Sequence, residues 1–178
     1  MKTIIAKTRL LRLAQGLLII LVVLMTTNAG AVSNPRGVDS IEAYNWVLSD
    51  PEGTFIVDVR TRAEYEFVGH PDTPNGVANI PYMFYEGWTP NKNFVTDVEA
   101  QFKKTDKLIM MCRSGQRAHH AARSLMDAGF KDVYYMTDSF EGPKDKNGYR
   151  TVSGWKVRKL PYTYKLEEDL IYKPTPAR

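Results

Sequence analysis

Hydrophobic residues after position 39 occur either in short continuous runs or at helical spacing. The runs at 54–59, 107–112 and 133–136 are apolar, rich in large or β-branched side chains and bounded by turn residues, and a shorter run lies at 77–80. Runs of this kind are typical of strands buried on both faces of a sheet. The pattern therefore predicts four buried strands.

Helical spacing of apolar residues predicts a helix in the stretches that separate these strands. The predicted helices cover 40–49, 62–68, 93–104 and 117–128, and the last is the clearest because its apolar residues share one face (Ala118, Ala121, Ala122, Leu125 and Met126). Strands separated by helices predict an α/β fold, an open parallel sheet covered by helices on both sides, in a single domain.

The first 31 residues are typical of an export signal. A basic stretch is followed by the apolar run 16–25, and Ala29, Gly30 and Ala31 match the small-x-small cleavage pattern. We expect cleavage after Ala31 and a periplasmic location. A signal that stayed uncleaved would instead anchor the chain to a membrane.

The rest of the chain is expected to form three parts. A linker is expected over 32–38, the domain over 39–161 and a tail over 162–178, whose tyrosines pack back on the domain (Tyr162, Tyr164 and Tyr172). The stretch 138–154 is polar and rich in turn residues, which predicts a surface loop.

Charge and cysteine content exclude several classes of function. The chain carries 24 Lys and Arg against 20 Asp and Glu, but four of the basic residues lie in the predicted signal, which has no acid. The remaining chain has balanced charge, so no nucleic-acid partner is expected. A single cysteine excludes an internal disulfide and a Cys-based zinc site. His119 and His120 are adjacent on a helix and point apart, so no metal and no cofactor is expected.

The candidate chemistry lies at Cys112, between a predicted buried strand and the clearest predicted helix. A loop that turns from a strand end into a helix directs backbone N–H groups inward and binds anions. Negative charge on sulfur is stabilised there, and Arg113 and Arg117 add two positive charges. The sequence therefore predicts a nucleophilic sulfur in a pocket for an anionic substrate, with a buried structural cysteine as the alternative.

Three segments, in this order, resemble the signatures of rhodanese-like domains. They are VDVRTRAEYEFVGHPDTPNGVANIPY over 57–82, MCRSGQRA over 111–118 and GFKDVYYMTDSFEG over 129–142, followed by Trp155. The overall pattern is similar to that of single-domain exported bacterial rhodaneses. The resemblance implies a thiosulfate:cyanide-type sulfurtransferase, which moves sulfane sulfur from thiosulfate or a similar donor to a thiophilic acceptor through a persulfide on Cys112.

The resemblance also implies a role for each residue of the site. Cys112 carries the sulfur, and the backbone amides of the following residues surround its outer atom (Arg113, Ser114, Gly115, Gln116 and Arg117). The side chains of Arg113 and Arg117 face the anionic donor, while Asp58 and Arg60 come from the neighbouring strand end and help to hold the loop. The stretch 138–154 is longer than the compact turn of many relatives, so Glu141 or Tyr149 could reach the rim of the pocket.

Two other functions stay open at this point. Phosphatases and arsenate reductases of the same fold have a loop one residue longer, whereas four residues separate Cys112 from Arg117 here, so the smaller loop favours a single sulfur atom. A non-enzymatic sulfane-sulfur carrier or docking domain for a protein partner is the stronger alternative. The expected partners are a small anionic sulfur donor and a thiol or cyanide acceptor, and a protein acceptor is left open.

Overall fold

The computed structural model describes residues 34–174. The predicted export signal at 1–31 lies outside this range, as do the last four residues of the predicted tail. Between residues 34 and 174, no helix has both the length and the apolar character needed to cross a membrane.

A five-stranded parallel sheet occupies the middle of the domain. Along the chain the strands are β1 (Arg36–Val38), β2 (Thr54–Asp58), β3 (His70–Pro71), β4 (Ala78–Asn79), β5 (Lys107–Met111), β6 (Asp132–Met136) and β7 (Tyr162–Thr163). The parallel sheet has the order β1-β6-β5-β2-β4, and β3 pairs with β7 in a separate antiparallel ribbon. The central position of β5 places its carboxyl end, and the loop that follows, between neighbouring strands.

Four α-helices connect the strands: α1 (Ser40–Ser49), α2 (Arg62–Val68), α3 (Phe94–Glu99) and α4 (Gln116–Asp127). The helix predicted over 93–104 is shorter than expected. The carbonyl of Val98 accepts bonds from the amides of both Gln101 and Phe102, so the chain tightens and leaves the helix. Phe102 continues the helical spacing of apolar residues in the sequence, but it lies outside the helix. This position is apolar because its ring packs on Phe55, with the two ring centroids 5.3 Å apart.

Helices cover both faces of the sheet, as the sequence predicts. Successive residues of a strand point to opposite faces. Leu108 and Met110 of β5 pack with the alanine face of α4 and with α3, whereas Ile109 and Met111 pack with α1. All four side chains are fully buried, so β5 is an apolar run because both of its faces are covered.

Residues 36–38 form a strand and are not part of a linker, in contrast to the prediction for 32–38. They make up β1, which pairs with β6 at the edge of the sheet, and Arg36 forms an ion pair with Asp132 at 2.8 Å. β1 has three residues, and because two of them are Arg36 and Gly37 it contains no apolar run that would indicate a strand. Their partner strand is also distant in sequence, so no local pattern indicates the pairing.

The stretch 138–154 is exposed only in its middle, and its ends are buried. The carboxylate of Asp138 accepts hydrogen bonds from the amide and hydroxyl of Ser40 and from the amide of Gly154. A Cβ on Gly142, whose φ is +83°, would lie 1.6 Å from the Ser153 carbonyl oxygen, so only glycine fits where the loop closes on itself. The prediction of a surface loop is therefore wrong for both ends.

The C-terminal tail contacts the domain at several points. β7 pairs with β3, and the ring of Tyr172 is buried with its hydroxyl donating to Asp97 at 3.0 Å. Tyr162 and Tyr164 stay about half exposed. The amide of Asn79, on the edge strand β4, donates to the carbonyl of Leu170 at 2.8 Å.

His70 is expected to lower the stability of the fold in acid. It is 4% exposed, and its Nδ1 has no hydrogen-bond partner among residues 34–174. Burial lowers the pKa of His70 from 6.5 to about 4. Because the pKa of His70 is lower in the folded protein than in the unfolded chain, neutral His70 does not reduce the free energy of unfolding above pH 6.5. This free energy falls as the pH decreases from 6.5, and the loss is complete once the pH has fallen through about 4.

Urea unfolding of the wild type and of His70→Asn across this range tests the prediction. The wild-type free energy of unfolding should fall more steeply with decreasing pH than that of the variant, since the carboxyl groups common to both proteins cancel in the difference. Parallel curves would show that His70 does not titrate on unfolding.

Candidate active site

Cys112 follows β5 directly, and a tight loop connects it to α4. The backbone amide of Gly115 donates a hydrogen bond to Cys112 Sγ at 3.1 Å. Gly115 has φ +100°, and a Cβ there would lie 2.6 Å from the carbonyl oxygen of Thr137. Only glycine therefore allows the loop to turn closely enough to direct this amide at the sulfur.

The sulfur lies at the N-terminal end of α4. The first helical bond runs from the amide of His119 to the carbonyl of Gly115 at 2.9 Å, so the amides of the first turn have no intrahelical acceptor. Together with the positive end of the helix dipole, such amides stabilise negative charge. Cys112 is 1% exposed, so this stabilisation acts on a sulfur shielded from bulk water.

Ser139 fixes the backbone at Cys112, a role that sequence reasoning missed. Its hydroxyl donates to the carbonyl of Met136 at 2.8 Å and accepts from the amide of Cys112 at 3.1 Å. Because the single hydroxyl proton is used on Met136, the 3.8 Å approach of this oxygen to Sγ is a secondary contact. Ser139 has φ +52°, and no local sequence signal points to it.

Arg113 lies at the rim of the loop with a half-exposed side chain. Its Nε is 3.2 Å from Oε1 of Glu141, so Glu141 does reach the rim, as the sequence suggested. The amides of Glu141 and Gly142 both donate to the carbonyl of Arg113, at 3.0 and 3.1 Å. These bonds hold the 138–154 loop against the residue next to Cys112. Tyr149, the other residue considered for the rim, is 69% exposed.

The guanidinium of Arg117 forms a two-bond ion pair with Glu64. Nη1 and Nη2 each lie 2.7 Å from a carboxylate oxygen. Burial raises the pKa of Glu64, but the hydrogen bonds and charge of Arg117 outweigh it and leave this pKa below its ordinary value. Arg117 therefore joins α4 to α2. Thr61 followed three residues later by Glu64 is the sequence pattern of a capping box, which indicates that Glu64 is held in place at the start of α2. The pattern does not identify Arg117 as the partner of Glu64.

Asp58 and Arg60 form a fully buried ion pair behind the loop. Arg60 Nε lies 2.9 and 3.0 Å from the two carboxylate oxygens of Asp58, and Nη2 donates to the carbonyl of Gly69 at 2.7 Å. Asp58 is in register with Met111, the residue before Cys112. The side-chain amide of Asn79 donates to the carbonyls of Asp58 and Arg60 at 3.1 and 3.0 Å. This network holds the end of β2, which lies beside the end of β5 from which Cys112 emerges.

Comparison with known proteins assigns the family. A family model described as the rhodanese-like domain matches residues 41–146, a range that includes the ion pair, Cys112 and its loop. The chain belongs to the rhodanese-like domain family.

Individual relatives of this rhodanese-like protein agree with that assignment. An uncharacterized RP600 homologue from Rickettsia rickettsii is 31% identical over 131 residues, which cover 72% of this chain and 98% of the relative. Thiosulfate sulfurtransferase 16 from Arabidopsis thaliana is 34% identical over 119 residues, or 66% of this chain and 92% of the relative. The crystal structure of Rv0390 from M. tuberculosis superposes with a TM-score of 0.68 at 30% identity, covering 75% of this chain and all of that one.

The remaining loop residues of the rhodanese-like domain face a shallow hollow on the outer side of the loop. Ser114 and Gln116 line it together with His119 and His120, whose ring centroids are 5.7 Å apart. Within residues 34–174, no group of three His, Cys, Asp or Glu side chains is close enough to hold a metal ion.

Proposed function

We propose that this rhodanese-like protein is a sulfurtransferase that moves sulfane sulfur from thiosulfate, or a similar donor, to a thiophilic acceptor through a persulfide on Cys112. The observation that carries the proposal is the amide of Gly115 at 3.1 Å from Cys112 Sγ, in a loop that opens a helix. The 34% identity with a thiosulfate sulfurtransferase supports the same chemistry.

The first half-reaction loads the sulfur. The Cys112 thiolate attacks the outer sulfur of thiosulfate, a new S–S bond forms, and the bond to the sulfonate group breaks with its electron pair leaving on sulfite. The product is a persulfide whose negative charge lies on the outer sulfur. Amides at the end of a helix stabilise that charge without reorganisation, which favours the loaded state. Arg113, at the rim of the loop, is suited to contact the sulfonate group of the donor.

The second half-reaction returns the enzyme to its starting state. An acceptor such as cyanide attacks the outer sulfur, the S–S bond to Cys112 breaks, and thiocyanate leaves while Cys112 becomes a thiolate again. The two half-reactions share no ternary complex, so we expect ping-pong kinetics.

Intact-mass measurement after mixing with thiosulfate tests the proposal. We expect a gain of one sulfur atom, which disappears on addition of cyanide with the release of one equivalent of thiocyanate. Absence of the gain with thiosulfate would reject the proposal. A stable gain with negligible turnover would instead support the alternative of a sulfane-sulfur carrier for a protein partner.

Export of the protein to the periplasm stays a prediction. It depends on the segment 1–31, which lies outside the described residues.

A further inference from the structure

The two arginines of the loop that follows Cys112 are each paired with a glutamate. Nη1 and Nη2 of Arg117 each lie 2.7 Å from a carboxylate oxygen of Glu64. Nε of Arg113 lies 3.2 Å from Oε1 of Glu141. In the folded protein each of these positive charges therefore stands beside a negative one. The attraction that the two arginines exert on an anion is weaker than it would be if they were unpaired.

The Arg117–Glu64 pair is largely shielded from water. Its side chains are 15% and 18% exposed, and the ring centroid of Trp88 lies 5.4 Å from Cζ of Arg117. The carboxylate of Glu64 also accepts hydrogen bonds from the amide and the hydroxyl of Thr61, at 3.0 and 3.1 Å. These contacts fix both charges, and salt screens a partly buried pair only weakly. Glu64 therefore offsets the charge of Arg117 over a wide range of salt concentration.

The charges of Arg117 and Cys112 interact. Arg117 is the second residue of α4, and Ala118 after it packs in the same buried cluster as Cys112. Burial lowers the pKa of Arg117, but the hydrogen bonds and charge of Glu64, followed by the charge of a Cys112 thiolate, outweigh burial and leave this pKa above its ordinary value. An electrostatic interaction is mutual, so Arg117 stabilises negative charge at the sulfur and Glu64 opposes that effect.

The Arg113–Glu141 pair is more exposed to water. The Arg113 side chain is 49% exposed, so salt screens this pair strongly. The second oxygen of Glu141 lies 3.8 Å from Nε of Arg150, and this carboxylate therefore stands between two arginines. Together with Arg117 and Glu64, these side chains carry three positive charges and two negative ones. They leave one net positive charge beside the loop.

We propose that Glu64 and Glu141 are specificity-determining residues, which favour a sulfur donor with one negative charge over a donor with two. The inference rests on the proposed function and adds the charge of the donor to it. Thiosulfate brings two negative charges to a sulfur that attacks as a thiolate, and unpaired arginines would offset this repulsion best. A donor with one charge, such as an organic thiosulfonate, needs less compensation. The two glutamates therefore slow thiosulfate more than they slow such a donor.

Methanethiosulfonate and thiosulfate are matched donors, because a methyl group in the first replaces one charged oxygen in the second. The Cys112 thiolate attacks the outer sulfur of either donor and forms an S–S bond. The bond to the oxidised sulfur breaks, and its electron pair leaves on methanesulfinate or on sulfite. Intact mass after rapid quenching gives the second-order rate constant of loading for each donor. The ratio of the methanethiosulfonate constant to the thiosulfate constant is compared between proteins, so the different leaving groups cancel.

Variants of the shielded pair should change this ratio in opposite directions. Glu64→Gln keeps an acceptor for Arg117 but removes the negative charge, and it should lower the ratio about fivefold. Arg117→Gln leaves the charge of Glu64 unpaired and should raise the ratio. The double variant Glu64→Gln/Arg117→Gln removes both charges and should return to the wild-type ratio. An unchanged ratio in Glu64→Gln, or shifts in the same direction in both single variants, would overturn the inference.

Glu66→Gln is the matched control for charge. Glu66 lies on the same helix α2 as Glu64, but it pairs with Arg62 and not with the loop, so this variant should keep the wild-type ratio. A shift equal to that of Glu64→Gln would show that the pairing with Arg117 does not matter. Glu141→Gln should lower the ratio at low salt and lose this effect at about 1 M salt, where the Debye length is about 3 Å. No effect at low salt would overturn the role of Glu141.

Alkylation of Cys112 separates this inference from the proposed function. Iodoacetate and iodoacetamide are similar in size and differ by one negative charge, and both react with a thiolate without any sulfur transfer. Glu64→Gln should raise the ratio of the iodoacetate to the iodoacetamide rate constant, and Arg117→Gln should lower it. These shifts without loading by either donor would support selection by charge and reject only sulfur transfer. Loading with the same alkylation ratio in all proteins would reject the inference alone, and a Cys112 that reacts with none of the four reagents would reject both.

Discussion

Replacement of Cys112 by serine is expected to abolish both sulfur loading and thiocyanate production. Cys112 is the single cysteine of the chain, so the variant has no thiolate that could carry the sulfur. Loss of a covalent nucleophile can lower turnover by on the order of 10⁶-fold, which places the remaining rate below detection. Intact mass after thiosulfate treatment and a thiocyanate assay in the presence of cyanide provide the measurements.

The same variant also checks that the loss is chemical. Serine is close to cysteine in size, and its hydroxyl can accept the hydrogen bond that the Gly115 amide donates to Sγ in the wild type. The variant should therefore keep the far-UV circular dichroism spectrum and a cooperative urea transition. Sulfur loading that survived in a folded Cys112→Ser protein would mean that another group carries the sulfur, and the proposed mechanism would be rejected.

The largest loss of stability is expected for Asp58→Asn. Asp58 and Arg60 are both fully buried, and the substitution leaves the guanidinium of Arg60 without its counter-charge. Removing one member of a buried ion pair costs about 3–5 kcal/mol. This is a large part of the stability of an ordinary domain, so the variant should be partly unfolded or unfold at much lower urea concentration.

An exposed ion pair on the adjacent helix α2 is the matched control. Arg62 and Glu66 lie one helical turn apart with Nε 2.6 Å from a carboxylate oxygen, and their side chains are 57% and 20% exposed, against 0% for both members of the Asp58–Arg60 pair. Glu66→Gln should change the free energy of unfolding by no more than about 0.5 kcal/mol, because water already solvates that pair. Similar losses for Asp58→Asn and Glu66→Gln would show that burial of the Asp58–Arg60 pair does not matter.

The parts of the fold that sequence predicts well are those determined by neighbouring residues. β5 and α4 have strong local patterns, an apolar run and an alanine-rich face, and the structure has both within a residue of the expected bounds. β1 has no such pattern, because its three residues are a strand only by pairing with β6, almost a hundred residues later. The buried ends of the 138–154 loop were missed for the same reason.

The residues of the candidate site can likewise be separated into those whose placement depends on their neighbours in sequence and those whose placement depends on distant residues. The strand, the loop and the helix around Cys112 are consecutive in sequence, so their arrangement could be predicted, including Arg113 at the rim. Ser139 and Asn79 act through hydrogen bonds to backbone groups distant in sequence, and nothing beside them indicates a role. The pairing of Arg117 with Glu64, 53 residues away, likewise depends on the packed fold. Sequence therefore predicts the position of Cys112 between a strand and a helix better than it predicts the residues that support it.

The contact between the tail and β4 has a consequence for how copies of this chain behave towards one another. β4 is one of the two outermost strands of the parallel sheet, and an outermost strand offers free backbone groups to a second molecule. Here the amide of Asn79 already donates a hydrogen bond to the carbonyl of Leu170 in the tail, and the ring of Tyr172 packs against Phe84. The tail thus covers part of this edge, and proteolytic loss of it would expose the backbone of β4 to a second molecule while Cys112 and its loop stayed intact.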